Sequence, residues 1–155
     1  TQQEGQLRWQ PVDTVNLGVA VALPEEKGGG LIVPVVRQAE TLGLIELGRA
    51  VADVARRARE GKLLPDDMAD GTFTVSNLGM FPVDHFTAII NPPEGGILAV
   101  GGIVETPVVV DGPVVVRPRM RVTMSCDHRV IEGAQGSRFL GTLQAMLEEP
   151  TAILV

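Results

Sequence analysis

The 155-residue sequence has one cysteine, no tyrosine and two histidines, and each scarcity excludes something. Cys126 alone cannot form an intrachain disulfide or a Cys-x-x-Cys metal or redox site, and a single thiol suits a reducing compartment. His85 and His128 are too few for most zinc arrangements, so no metal is expected. Positive charge is scarce too: 13 Lys and Arg stand against 19 Asp and Glu, a net charge of −6. With only Trp9, Phe73, Phe81, Phe86 and Phe139 as aromatics, phosphate-backbone binding with base stacking is disfavoured, and no nucleic-acid partner is expected. Long apolar runs are also missing. Those at 97–100 and 108–110 fall far short of the roughly 20 residues that span a bilayer. No charged-then-apolar leader opens the chain, so a soluble, unexported protein without a membrane partner is the expectation.

What is present fits one globular domain over 1–155: 45% of residues are apolar and 21% charged, proportions that allow a closed core rather than disorder. Val15, Leu17, Val19, Val21 and Leu23 alternate with period two, predicting a half-buried strand over 15–23. The Gly-rich run 24–30 ends it as a loop, and 31–36 predicts a second strand that Pro34 places at an edge or bulge. From Thr41, a possible N-cap, the period changes. Leu44, Leu47, Val51, Val54, Ala55 and Ala58 recur at helical spacing, and Gly61 follows the last turn. Short strands are predicted at 72–76, 86–90, 97–100 and 108–116, with Asp111-Gly112 as a hairpin signal, and another at 120–126. A second helix over 134–147 presents Phe139, Leu140, Leu143, Met146 and Leu147 inward and stops at Pro150. Consecutive strands between only two helices predict an α+β sandwich with a mixed or antiparallel sheet rather than a doubly wound one.

The apolar face of Met120, Val122, Met124 and Cys126 leads directly to His128. A histidine there is either a packed or surface residue or a general base. Asp127, Arg129 and Glu132 surround it with charge, and partial desolvation would keep a neutral nitrogen available near pH 7. Ser76, read from the sequence alone, is a strand-terminal turn residue ahead of Asn77.

The segment Asp127-His-Arg-Val-Ile-Glu-Gly133 resembles the D-H-R-x-x-D-G signature of the dihydrolipoamide acyltransferases of 2-oxo acid dehydrogenase complexes, relatives of chloramphenicol acetyltransferase. Gly71-Thr-Phe-Thr-Val-Ser-Asn-Leu-Gly79, Ile90-Asn-Pro-Pro-Glu94, the Gly-rich strand to Gly102 and the closing Leu-Glu-Glu-Pro follow that family in order and approximate spacing, so the resemblance covers 15–155. It implies a mixed-sheet two-layer α+β sandwich and acyl transfer between a dihydrolipoyl thioester and coenzyme A as the core of a 2-oxo acid dehydrogenase complex, such as pyruvate dehydrogenase. It assigns His128 as base on the thiol, Ser76 as donor to the tetrahedral oxyanion, Glu132 as the acid that pairs with an arginine and holds the histidine loop, and Asn77 and Gly101 as neighbours of the CoA pantetheine arm. It further implies homotrimers that build a larger core, with Ser76 and His128 meeting from different chains. The lipoyl group would be carried on a separate domain, alongside other subunits of the complex, in a bacterial cytoplasm or a mitochondrial matrix.

The chain departs from the pattern in three respects. Glu132 stands where the family usually has Asp. The loop after the first strand is longer and Gly-rich and lacks the usual Asp. The family's N-terminal section of the domain, its lipoyl domain and its peripheral-subunit-binding domain have no counterpart, which predicts an incomplete catalytic domain. Other candidates are a Cys126–His128 nucleophile pair, an arginine stripe at Arg117, Arg119 and Arg121 facing CoA phosphates, an acidic partner or solvent, a basic cluster at Arg56, Arg57, Arg59 and Lys62 explained by the helix dipole, and Asp84-His85 as surface. Two rival functions stay open: a small-molecule CoA-dependent O- or N-acetyltransferase, and a non-catalytic structural core subunit. The acyl group is not legible in the sequence.

Overall fold

A computed structural model of the chain describes residues 2–3, 6–7 and 11–153; Trp9, Leu154 and Val155 lie outside the described residues. Two short strands, β1 (Gln2–Gln3) and β2 (Gln6–Leu7), pair with each other. The alternation over 15–23 forms two strands rather than one, β3 (Leu17–Val19) and β4 (Val21–Ala22). They divide because β3 joins the main sheet whereas β4 pairs with β5 (Leu31–Ile32). The run 31–36 likewise splits at Pro34, which has no N–H for a ladder; its carbonyl accepts the Val19 N–H at 2.8 Å, and β6 (Val35–Val36) resumes beyond it.

Helix α1 (Leu44–Glu60) begins after Gly43 rather than Thr41. The Thr41 hydroxyl donates to Gln38 O at 2.8 Å within a 3-10 turn, and the Glu46 carboxylate accepts the Gly43 N–H at 3.2 Å. Gly61 ends the helix as expected, at φ 74°. Val54 packs with Val36 and Ala39, flanked by Leu17, Val19, Leu42, Leu47, Ala50 and Val51. Leu44, expected inward, is 64% exposed, whereas Leu42, ahead of the helix, packs against the core.

The main sheet has the order β6-β3-β7-β8-β9, with β7 (Phe73–Asn77), β8 (Gly96–Val109) and β9 (Val114–Cys126). The β3–β7 and β7–β8 pairs are parallel and the outer pairs antiparallel, so the sheet is mixed, with β6 at one edge as Pro34 requires. Strands expected separately at 97–100, 108–116 and 120–126 are two long arms of one hairpin. Its turn holds Asp111 at φ 52° and Gly112 at φ 108°. The strand expected at 86–90 does not form. The Ser125 hydroxyl donates to Ala88 O at 2.7 Å, so 86–90 crosses the sheet face as an irregular strap, and Ile89 on it is 92% exposed.

Helix α2 (Gly133–Glu148) lies on the same sheet face as α1: Leu17, which packs on the α1 core, pairs in register with Phe73, whose ring stands 5.8 Å from Phe139 on α2. The result is a two-layer α+β sandwich. The inward face expected for α2 is largely open. Phe139, Met146 and Leu147 are 44%, 42% and 48% exposed, and a cleft of about 530 Å³ lies between α2 and β9, lined by Met120 and Val122 on one side and Leu140, Leu143 and Leu147 on the other. Among the described residues no helix is long and apolar enough to cross a membrane.

Candidate active site

Strand β9 delivers the polypeptide to the histidine. At its end the Val130 and Ile131 N–H groups donate to Asp127 O at 3.0 and 2.9 Å, and the Asp127 N–H donates to Gly95 O at 2.8 Å. The turn over 127–131 is thereby closed on itself and pinned to the residue before β8. Arg129 grips Asp127 from the same turn, with Nε at 2.9 and 3.1 Å and Nη2 at 2.6 Å from the carboxylate oxygens. That guanidinium, aided by the Arg129 backbone N–H, pulls the Asp127 carboxyl down to about 2. The two opposite charges are thus paired within the turn.

His128 itself is exposed. The desolvation expected from the apolar end of β9 is not provided by this chain, since the turn projects past the strand instead of folding over it. Glu132 is the N-cap residue of α2; its backbone N–H donates to Gln135 Oε1 at 3.0 Å, and among the described residues its carboxylate has no ion-pair partner. Cys126 turns toward α2, 3.5 Å from where a side chain at Gly136 would begin, which is a packing position.

Ser76 is half-buried near the end of β7 and shares a row with Ala99 and Thr123 across three strands. By alternation this row lies on the face away from both helices. Asn77 points to the other face, and its Oδ1 accepts the Gly79 N–H at 2.7 Å in the turn that ends the strand. At Gly101 the direction a side chain would take is filled by the Asp84 carbonyl, so the chain's own loop explains this glycine. Beside it a groove of about 310 Å³ runs between Phe81 and Val83 and Gly102 to Val104.

Ser76 and His128 are not brought together within one chain. Gly96 pairs with Cys126 at the end of the sheet from which the His128 turn leaves, whereas Ser76 pairs through Ala99 with Thr123. Spacings of about 3.3 Å per residue and about 4.8 Å per strand put Ser76 roughly 14 Å from the end of β9, before the turn adds more.

Of the other candidates, Arg121 forms an ion pair with Asp84, whose carboxylate also lies 3.3 Å from His85 Nδ1 on the surface. Arg56 and Arg57 are held by Asp53, Glu60 and Asp67, and Lys62 by Glu60, so side-chain ion pairs rather than the helix dipole alone account for them. Thr74 and Glu94 lie in family-like segments that assign them no role, yet they form a buried pair at 2.6 Å. Thr74 carries a faint signal, since it shares the Ser76 face of β7. Among the described residues no group of three His, Cys, Asp or Glu is placed to hold a metal.

A mixed sheet with both helices on one face and a histidine turn leaving its last strand has the α+β architecture of the chloramphenicol acetyltransferase-like acyltransferases. The family model for the 2-oxoacid dehydrogenases acyltransferase (catalytic domain) matches residues 3–155. The chain belongs to that family. It is 49% identical over 145 residues to the dihydrolipoyllysine-residue acetyltransferase component of the mitochondrial pyruvate dehydrogenase complex of Schizosaccharomyces pombe, covering 91% of this chain and 29% of that protein. Among solved structures it matches the cubic core of the pyruvate dehydrogenase multienzyme complex, with TM-score 0.84, 37% identity, 93% of this chain and 58% of that one covered. It also matches the dihydrolipoamide acetyltransferase of Azotobacter vinelandii, with TM-score 0.87, 36% identity and coverage of 99% and 61%. The latter work concerns a serine, a histidine and an asparagine in that enzyme's catalytic mechanism. The chain thus spans under a third of the curated relative and about three-fifths of the solved cores.

Proposed function

We propose that the protein moves an acyl group between a dihydrolipoyl thioester and coenzyme A, with His128 as the base and Ser76 as the oxyanion donor. The observation that carries this reading is one of spacing. The serine and histidine named for the Azotobacter vinelandii enzyme stand as far apart in sequence as Ser76 and His128 do here. Its asparagine follows the histidine at the interval at which Glu132 follows His128. Glu132 thus stands at a place that carries a catalytically studied side chain in that relative, and we read it as the acid that holds the histidine loop.

The chemistry follows from the residues. A free thiol with a pKa of about 8.5 is mostly protonated at neutral pH, and a neutral imidazole nitrogen of His128 removes its proton. The thiolate attacks the thioester carbonyl, the Ser76 hydroxyl donates to the resulting oxyanion, and collapse of the tetrahedral species expels the second thiolate, which takes the proton back from His128. Asn77, whose amide N–H groups have no partner among the described residues, and the groove beside Gly101 are the parts of this chain that suit an extended thiol-bearing arm.

Because a single chain holds Ser76 and His128 apart, the reading places them in one site from two subunits of a homotrimer, and the match to a multienzyme core favours a larger assembly of such trimers that receives lipoyl domains. The interface would supply the desolvation that His128 lacks here. The open face of α2 is further surface that the rest of a complete domain or a neighbouring subunit would cover. The compartment is a bacterial cytoplasm or a mitochondrial matrix. His128→Ala in the assembled protein is expected to lower kcat for transfer from acetyl-CoA or succinyl-CoA to dihydrolipoamide by about 10²- to 10⁴-fold. Unchanged turnover would sink the proposal, and the preferred donor identifies the acyl group.

A further inference from the structure

Thr74 and Glu94, 0% and 7% exposed, are buried polar residues to which the proposed reaction assigns no role. The Glu94 carboxylate accepts hydrogen bonds from the Thr74 hydroxyl at 2.6 Å and from Asn91 Nδ2 at 3.2 Å, and its backbone N–H donates to Asn91 O at 3.0 Å. Among the described residues no Lys, Arg or His pairs with it. The surrounding backbone is shaped to admit it. A side chain at Gly71 would begin 2.6 Å from Glu94 Oε1, and one at Gly18 would run into the Thr74 hydroxyl. Burying a carboxyl group with only neutral partners is costly, and an apolar residue would pack there more favourably. The network therefore serves placement rather than stability.

What it places is visible one residue later. The carbonyl of Gly95 accepts the Asp127 N–H at 2.8 Å, the bond that pins the His128 turn, and a side chain at Gly95 would begin 2.9 Å from Val130 Cγ2 on the same turn. Thr74 in turn belongs to β7, two residues before Ser76. Glu94 thus joins the strand that carries the hydroxyl donor to the turn that carries the base.

We propose that Glu94 is a positioning residue for His128: its carboxylate, held by Thr74 and Asn91, fixes the Gly95 carbonyl on which the histidine turn rests. The proposal depends on the reading of His128 as the base, and its test separates the two. In the assembled protein, Glu94→Ala and Thr74→Val are expected to speed hydrogen exchange over 126–131 by about tenfold, the equivalent of one lost hydrogen bond, and to leave α1 unchanged. They are expected to lower kcat by about ten- to a hundredfold with KM for acetyl-CoA within about twofold, as a displaced base does. Glu94→Gln keeps an acceptor for Asn91 and a partner for Thr74, so it retains exchange and turnover near those of the wild type. Ile89→Ala, on the exposed strap, is the control without effect. Exchange over 126–131 that stays as in the wild type in Glu94→Ala, or that rises only together with α1, overturns the positioning role. Full activity in His128→Ala instead overturns the base while leaving the exchange result intact.

Discussion

Asp127 and Arg129 form an ion pair on either side of His128, within the same turn. The guanidinium holds the Asp127 carboxyl at about 2, below the ordinary 3.8, so the pair is ionised throughout any working range and contributes no titration near neutrality. Because the folded-state value is depressed, the stability this pair contributes is present above pH 3.8 and is lost as the pH falls toward about 2. Comparing the thermal midpoints of wild type and Asp127→Asn across pH should give a constant difference from pH 8 to about 5 that shrinks between about pH 4 and 2. A difference that persisted undiminished at pH 2 would show that Asp127 stabilises by something other than its ionised form. The pair is exposed enough that solvent screens it, so its main effect is on the shape of the turn.

At the scale of elements, the sequence was most legible where a period ran long. The 3.6-residue repeat with Gly61 behind it located α1 to within three residues, and Asp111-Gly112 marked the hairpin turn. Elements defined by partners were less legible. Nothing in 15–23 or 31–36 says which half joins which sheet, and 86–90 has strand composition yet crosses a sheet face because Ser125 claims Ala88. The same limit held in the site. The family motifs give His128 and Ser76 a role, whereas Glu94 ends one of those motifs without a legible role, since burial of its carboxylate depends on Gly18, Gly71 and Thr74 converging from elsewhere in the chain. Backbone geometry gives a prediction with opposite signs at two glycines. Gly112→Ala forces φ 108° on an alanine at the hairpin tip and should destabilise by about 1–2 kcal/mol, whereas Gly48→Ala, with open space around it inside α1, should stabilise by up to about 1 kcal/mol. Thermal melting of the two variants should shift in opposite directions by a few degrees, roughly 2–4 °C per kcal/mol at this size.

For the whole molecule, the decisive feature is that one sheet carries Ser76 and the His128 turn at separate places. Ser76 sits toward the C-terminal end of β7, and the His128 turn departs beyond the opposite end of that strand, next to Gly96. No side-chain rotation closes a gap of about 14 Å, whereas a closed ring of identical subunits, as proposed, would join the serine end of one chain to the histidine end of the next. Mixing separates the two arrangements. When Ser76→Ala and His128→Ala chains are co-assembled in equal amounts, an intrachain site would always carry one defect, and activity would stay at the level of the single variants. A site shared between neighbours combines an intact serine with an intact histidine in about a quarter of random interfaces, so activity should recover to about a quarter of wild type. Recovery should require assembly and vanish when the two variants are mixed after their trimers have formed. If co-assembly gives no gain over the single variants, the serine and histidine do not act in one interchain site, and the exposed His128 must find its partner groups elsewhere.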